Sequence, residues 1–405
     1  MNEHTALAQE PRLPLAGLRI LDMSRLLPGP FGTQVLADFG ADVIRVEDLR
    51  GSDGFRTAQP LRDGVSFRHM TLNRNKRSVA LDLKSPAGLE AFRRLAAGAD
   101  ALLEQFRPGV MARLGLDYEA LSAINPRLVY CSLSGFGQDG PLRDVVAHDP
   151  NYLALSGIMS LLGRRGSPPM PSGVQISDIV AGLSAALAIM MALHERQATG
   201  RGRYIDVSLY DSAISTLVTA AAGYFGTGTA PSRGEDRHNG RYPMSDVYEC
   251  SDGGHIAISA IEPHFWANLC KVFGHPEWLP HQYDDGETGH AIRAELTRIF
   301  LTRTRDEWFE ALRDAEICIS PVLSVAEALD APHTRARGLV IDHVHPRAGR
   351  ARLLGNAIRM GAPTTVRRPA PELGEHTGEV LAEAGLSSPE IESLITAGAA
   401  SRSGR

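Results

Sequence analysis

The sequence predicts an α/β protein: a large doubly wound domain joined to a smaller α+β domain. Two patterns carry this expectation. In the first half, short β-rich runs alternate with segments of helical period, as parallel strands joined by helices do. Beyond about residue 223 the composition turns to Gly, Thr, Ser and Arg without apolar period, and a hairpin with helices follows. The large domain then takes residues 1–222 and 335–405, and the small one 223–334.

The elements follow in order. LRILDMS (Leu18 to Ser24) reads as the first strand, and Pro28-Gly29-Pro30 opens a helix, where a missing N–H costs nothing. ADVIRVE (Ala41 to Glu47), SVALDL (Ser78 to Leu83), ADALLEQF (Ala99 to Phe106) and LVYCSLS (Leu128 to Ser134) supply four more strands. Helical patterns at Pro86 to Ala97 and Gly109 to Ile124 separate the last three. A long apolar helix starts at Asp178, and GRGRYIDVSLYDSAIS is a strand running into a helix. Residues 223–244 read as an exposed linker or an active-site loop. SDVYECSDGGHIAISA is two β-rich runs joined by Ser-Asp-Gly-Gly, a hairpin, with helices at Glu262 to Phe273 and Arg305 to Ala315. After about His333 the chain is rich in Pro and Arg until GEHTGEVLAEAGLSSPEIESLITAG gives two closing helices.

Composition bounds the function. With 43% apolar and 22% charged residues over 405 positions, the chain is globular and can bury a large core. A net charge of −5 argues against a nucleic-acid partner, so any phosphate contact must be a local basic cluster. Cys131, Cys250, Cys270 and Cys318 are far apart and form no CxxC pair, so neither a zinc site nor a disulfide framework is indicated, which suits a reducing cytoplasm. The first dozen residues, MNEHTALAQEPR, lack an apolar signal core and read as a loose tail. The most apolar stretch, Ile179 to Leu193, is shorter than the roughly twenty residues a membrane helix needs, so no membrane partner is expected.

Gly135-Phe136-Gly137-Gln138-Asp139-Gly140 satisfies GxGxxG after a strand, but Pro141 and Leu142-Arg143-Asp144 follow instead of a clear helix. No acidic residue ends a strand about twenty positions on, so a dinucleotide site is not expected. A tight turn needing positive φ explains the glycines equally well. Asp178, immediately before an apolar helix, reads locally as an N-cap, and His148 as a hydrogen-bonded or capping histidine. Arg45 ends a strand where open α/β sheets bind ligands, and Asn73-Arg74-Asn75-Lys76-Arg77 places three cations beside another strand. Arg107 sits in EQFRPGV.

The runs HDPNYLALSG from His148, GVQISDIVAG around Asp178, SAIEPHF with Glu262 and GFGQDGP from Gly135 change those readings. Over about Leu15 to Leu394 the chain resembles the class III coenzyme A transferases of the carnitine and bile-acid type, and within them the α-methylacyl-CoA racemase branch. The resemblance implies a Rossmann-like large domain and two chains interlocked as a homodimer. It makes His148 and Asp178 opposed bases that move a proton across the α-carbon of a 2-methylacyl-CoA through an enolate, with Asp149 and Glu262 orienting and charge-balancing the imidazole. Were Asp178 the first helical residue, its backbone N–H would be free to face the enolate. Arg45, Asn73, Arg74, Lys76, Arg77 and Arg107 match nucleotide- and pantetheine-contacting segments, and Gly137 and Gln138 the loop beside the CoA chain. No metal or redox cofactor is implied, since the histidines and cysteines lack ligand spacing, and coenzyme A enters as part of the substrate.

The match is uneven. Racemases follow the aspartate with a run of glycines, whereas Asp178-Ile179-Val180-Ala181-Gly182 is closer to the transferases. Ala147 replaces a glycine and Pro150 an aliphatic residue. The alternative is therefore a CoA-transferase in which Asp178 is the nucleophile, forming an acyl anhydride and then a CoA thioester.

Overall fold

The structure, a computed structural model, describes residues 13–361 and 363–403; the predicted N-terminal tail lies outside them. The first unit comprises residues up to Leu155, Val174–Thr216 and Pro332 onward; the second comprises Ser156–Gly173 and Leu217–Ala331. Residues 156–173 therefore belong with the second unit, although the sequence boundaries put them in the large domain.

The first unit is built on a seven-stranded sheet. Its strands are β1 (Arg19–Met23), β2 (Asp42–Glu47), β3 (Lys76–Leu81), β4 (Ala101–Glu104), β5 (Val129–Ser134) and β6 (Tyr204–Ser208). They lie in the order β3-β2-β1-β4-β5-β6, all parallel, with the short strand Ala400–Ser401 added antiparallel outside β3. Strand order reverses between β1 and β4, and ligands of doubly wound sheets bind at that crevice. Successive side chains point to opposite faces, so Leu21 and Ile44 enter one apolar cluster with Phe92 and Leu95, while Ile20 and Val43 enter another with Leu103 and Ile189.

Two helices bring the crevice its reactive ends. Helix α1 (Pro28–Asp38) opens with prolines that need no N–H partner. The chain reaches it through Leu26, held at φ +60. Helix α3 (Ile176–Thr199) begins two residues before Asp178 and ends on Gly200 at φ +70. It is long and apolar enough to span a bilayer by length and composition, beyond the shorter apolar run in the sequence. Yet Ala181, Ala185 and Ile189 are fully buried within the second of those clusters. Gly32 of α1 and Gly182 of α3 let the two backbones touch: a Cβ on Gly32 would lie 2.3 Å from the Gly182 carbonyl oxygen, and one on Gly182 2.3 Å from that of Pro28. Helix α2 (Asp149–Leu155) starts immediately after His148.

The predicted helix over 109–124 is interrupted: Val110–Arg113 and Tyr118–Ile124 are separate, the second capped by the Asp117 carboxylate on the N–H of Ala120. The Pro- and Arg-rich stretch hides a hairpin, Val340–His345 with Gly349–Leu354. The second unit has a three-stranded antiparallel sheet, Ile319–Pro321, His255–Ser259 and Ser245–Glu249, over a core that holds all three tryptophans, Trp266, Trp278 and Trp308. The predicted linker begins as helix, since Val218–Thr227 runs through it.

Candidate active site

A cavity of about 420 Å³ opens at the carboxyl ends of the central strands. His148 and Asp178 both line it, with Leu26 and Pro28 after β1, Phe106 and Arg107 after β4. The two residues paired by sequence reasoning thus share one cavity.

Asp149 holds them in place. Buried at 5% exposure, its Oδ1 accepts from the N–H of Ser177 at 2.8 Å, the Ser177 hydroxyl at 2.5 Å and the N–H of Asp178 at 3.3 Å. This corrects two expectations. Asp149 caps the N-terminus of α3 rather than orienting the His148 imidazole, and the Asp178 N–H is occupied rather than free for an enolate. The next N–H, of Ile179, is taken by the Gln175 carbonyl. What remains for a developing negative charge is the positive end of the helix dipole. His148 is exposed, its backbone N–H donating to Asn151 Oδ1 at 3.0 Å.

The carboxyl of Asp178 is unusual. Burial, with the neighbouring Asp149 charge, pushes it from 3.8 to about 7. It can therefore take and release a proton near neutrality. The same burial and the same two carboxylates raise the Tyr152 hydroxyl to about 12. Glu262 belongs to the second unit, where it is exposed and stands at the start of helix Pro263–Phe273 without a side-chain cap bond.

A second cavity, about 380 Å³, lies on the other side of Phe106. Its apolar wall is Leu81, Leu83, Val110 and Leu114; Arg25, 3.5 Å from Asp48, and Lys84 bring positive charge, and Glu47, Asp53 and Asp82 line it as well. Phe106 lines both cavities, with the Arg25 guanidinium 5.4 Å above its ring centroid. Sequence reasoning missed Arg25 and Lys84; the signal was their position just past strand ends, in DMSR and LDLK.

The cations that it chose are mostly committed elsewhere. Arg74, 1% exposed, pairs with Asp38 at 2.7 Å. Lys76, fully buried, is held by Asp22 at 3.0 Å, Thr33 and the Pro30 carbonyl, and burial brings its ammonium down to about 8. Arg77 binds Asp42, Glu379 and Glu383. These three act within the fold and are not presented to a phosphate. Asn73 accepts from the Arg45 guanidinium and donates to the His69 carbonyl.

Arg45 borders the second cavity but is 1% exposed. Its guanidinium is 2.9 Å from Asp53 and 3.5 Å from Glu47. Asp53 in turn accepts from the N–H of Leu26 at 3.1 Å, fixing a left-handed conformation that a leucine adopts only at a cost of roughly 1–2 kcal/mol. Arg45 therefore shapes the mouth of the site through Asp53. Of the remaining choices, Arg107 lines the first cavity, and Gly137 at φ +89 and Gln138 form the turn after β5, where the Gln138 N–H donates to Asp206 at 2.9 Å. No helix follows that turn before α2, so the GxGxxG pattern is a turn motif here.

The comparisons agree with this architecture. An α-methylacyl-CoA racemase of Mus musculus is 40% identical over 390 residues, covering 94% of this chain and 96% of that protein. An acetyl-CoA:oxalate CoA-transferase of Acetobacter aceti is 36% identical, covering 95% and 98%. The crystal structure of a CAIB/BAIF family protein from Brucella suis superposes with a TM-score of 0.79 at 33% identity, over 92% of this chain and all of that one. With the profile of CoA-transferase family III matching residues 15–377, the chain belongs to that family.

Proposed function

We propose that the protein racemises or epimerises the α-carbon of a 2-methylacyl-CoA by proton transfer between His148 and Asp178. The observation that carries this reading is the Asp178 carboxyl raised to about 7 in a cavity it shares with a histidine. A base of that strength removes an α-proton and, protonated, returns one; a nucleophilic carboxylate would instead need to hold its charge. The acyl end occupies the first cavity with its α-carbon between the two side chains. The pantetheine crosses Phe106, and the nucleotide lies in the second cavity against Leu81, Leu83 and Leu114 with Arg25 and Lys84 at its phosphates. Coenzyme A enters with the substrate, and no resident cofactor takes part.

One enantiomer loses its proton to Asp178 and gains one from His148; the other runs the reverse path. The enolate between them is stabilised by the dipole of α3. In deuterated water, a single 2-methylacyl-CoA stereoisomer with no acceptor acid should gain α-deuterium and lose optical purity. Unchanged optical purity and no label across several acyl groups would exclude the reading.

The second reading is CoA transfer, favoured by the glycine-poor Asp178-Ile179-Val180-Ala181 run and by transferase relatives of similar identity. Hydroxylamine added with acyl-CoA separates the two: an aspartyl hydroxamate at Asp178 marks the transferase.

A further inference from the structure

A row of polar side chains crosses the carboxyl ends of β4, β5 and β6 beside both cavities. Strand register sets Glu104 opposite Ser132, and Ser132 opposite Asp206. Each carboxylate holds a loop of the site. Glu104 Oε2 accepts from the N–H of Phe106 at 2.8 Å, and Asp206 accepts from that of Gln138. Ser132 bonds Glu104 and also accepts from the Tyr204 hydroxyl at 3.2 Å. Glu104 is 4% exposed and faces a separate cavity of about 90 Å³, too small for an acyl chain or a nucleotide.

The groups facing Glu104 are unbalanced in charge. Tyr130 faces it from β5, Tyr204 and Asp206 from β6, and Asp117 and Tyr118 from the segment after the helix Val110–Arg113, with Cys131 behind on the opposite face of β5. Arg107 is the one cation among the described residues lining the small cavity, and it lines the 420 Å³ cavity as well.

We propose that Glu104 is a positioning residue for the CoA thioester that acts through Arg107: a neutral Glu104 leaves the guanidinium to the substrate, and an ionised Glu104 draws it into the small cavity. The physical reason is that a buried carboxylate one strand removed from Asp206 must find a counter-charge, and Arg107 is the one cation that lines its cavity among the described residues. Burial keeps the Glu104 carboxyl neutral up to about pH 7, with Asp206 adding to the shift, so the exchange falls in the neutral range.

The inference rests on the thioester lying across the two cavities. Its test is the affinity of free coenzyme A, which carries no acyl group to report on Asp178, measured on both sides of pH 7 for the wild type, Glu104→Gln and Arg107→Ala. Wild-type affinity should weaken as pH rises, on the order of fivefold, the worth of one partly exposed charged contact. Glu104→Gln, which still accepts from Phe106, should keep the tighter affinity throughout, and Arg107→Ala the weaker one. Any pH dependence arising from coenzyme A itself is common to all three proteins and drops out. A Glu104→Gln variant that retains the full wild-type pH dependence overturns the proposal, as does one whose melting temperature is no lower than the wild type's but which binds weakly at every pH. Failure of the wild type to bind coenzyme A at any pH overturns the underlying placement of the thioester, a different result from either.

Discussion

Asp178 and Glu104 are both carboxyls raised to about 7, and they have opposite consequences. For Asp178 the shift suits the proposed proton transfer. The enantiomer deprotonated by Asp178 should show kcat/KM rising with pH through about 7, whereas the one reprotonated by it should fall; initial rates on the separate enantiomers check this. Asp149→Asn removes the neighbouring charge but keeps an acceptor for Ser177, so the Asp178-dependent limb should move to lower pH. An unmoved limb would mean that burial alone sets it. For Glu104 the shift costs stability. A folded-state value of about 7 against an ordinary 4.5 means its contribution is full below 4.5 and lost as pH rises through 7. Glu104→Gln should therefore be more stable than wild type above pH 7, by on the order of 2–3 kcal/mol, with no gap below 4.5. Arg45 teaches the limit of reading cations from sequence. ADVIRVE shows an arginine at a strand end with Glu47 two residues on, but not Asp53 and Asn73 closing around it. Arg45→Ala leaves Asp53 buried without its counter-charge, while Glu47 keeps Arg56, so it should destabilise by about 3 kcal/mol and impair full-length and truncated thioesters alike. Arg25→Ala should instead raise KM for the CoA thioester and leave a pantetheine thioester little changed.

At the scale of elements, what was legible was periodic. Runs such as LRILDMS and LVYCSLS have one way to bury both faces, and the helix Pro86–Ala97 falls where its prolyl start and apolar spacing put it. Hairpin Val340–His345 with Gly349–Leu354 was not legible, because His343, His345, Arg350 and Arg352 interrupt the apolar alternation and only its inner residues, such as Ala351 and Leu353, are buried. The strand Ala400–Ser401 is too short to carry a pattern and is defined by pairing with β3. The role of Gly182 was equally hidden. Within GVQISDIVAG it is the one glycine left after Asp178, where racemases carry a run of them; in space it is where α1 and α3 touch. Gly182→Ala should destabilise by roughly 1–3 kcal/mol, since the nearest atoms are backbone and cannot rotate away. It should also lower turnover more than affinity by shifting the helix that carries Asp178. Thermal unfolding with steady-state kinetics separates the two effects.

At the scale of the molecule, strand order explains why distant sequence segments meet in one site. DMSR after β1 and EQFRPG after β4 are adjacent only because the sheet reverses direction between those strands, and no local pattern encodes that neighbour relation. The same large unit leaves one face of its longest helix uncovered. Leu183, Leu187 and Met191, spaced by one helical turn, are 42%, 57% and 62% exposed along α3, and Ile214 is 41% exposed on the next helix, Leu209–Ser215. Apolar residues spaced by a turn on a helix surface form a continuous stripe, and large exposed apolar patches mark interaction sites. We take a second copy of the chain as the cover, as the family resemblance implied. Leu187→Arg should then shift the protein from dimer toward monomer in sedimentation equilibrium, because the charge would be desolvated at the centre of the stripe. The buried side of α3, with Ala181, Ala185 and Ile189, is untouched by that substitution, so the melting temperature at dilutions where wild type is also monomeric should be unchanged. A variant that sediments like wild type at every concentration would show that this stripe is not where two copies meet.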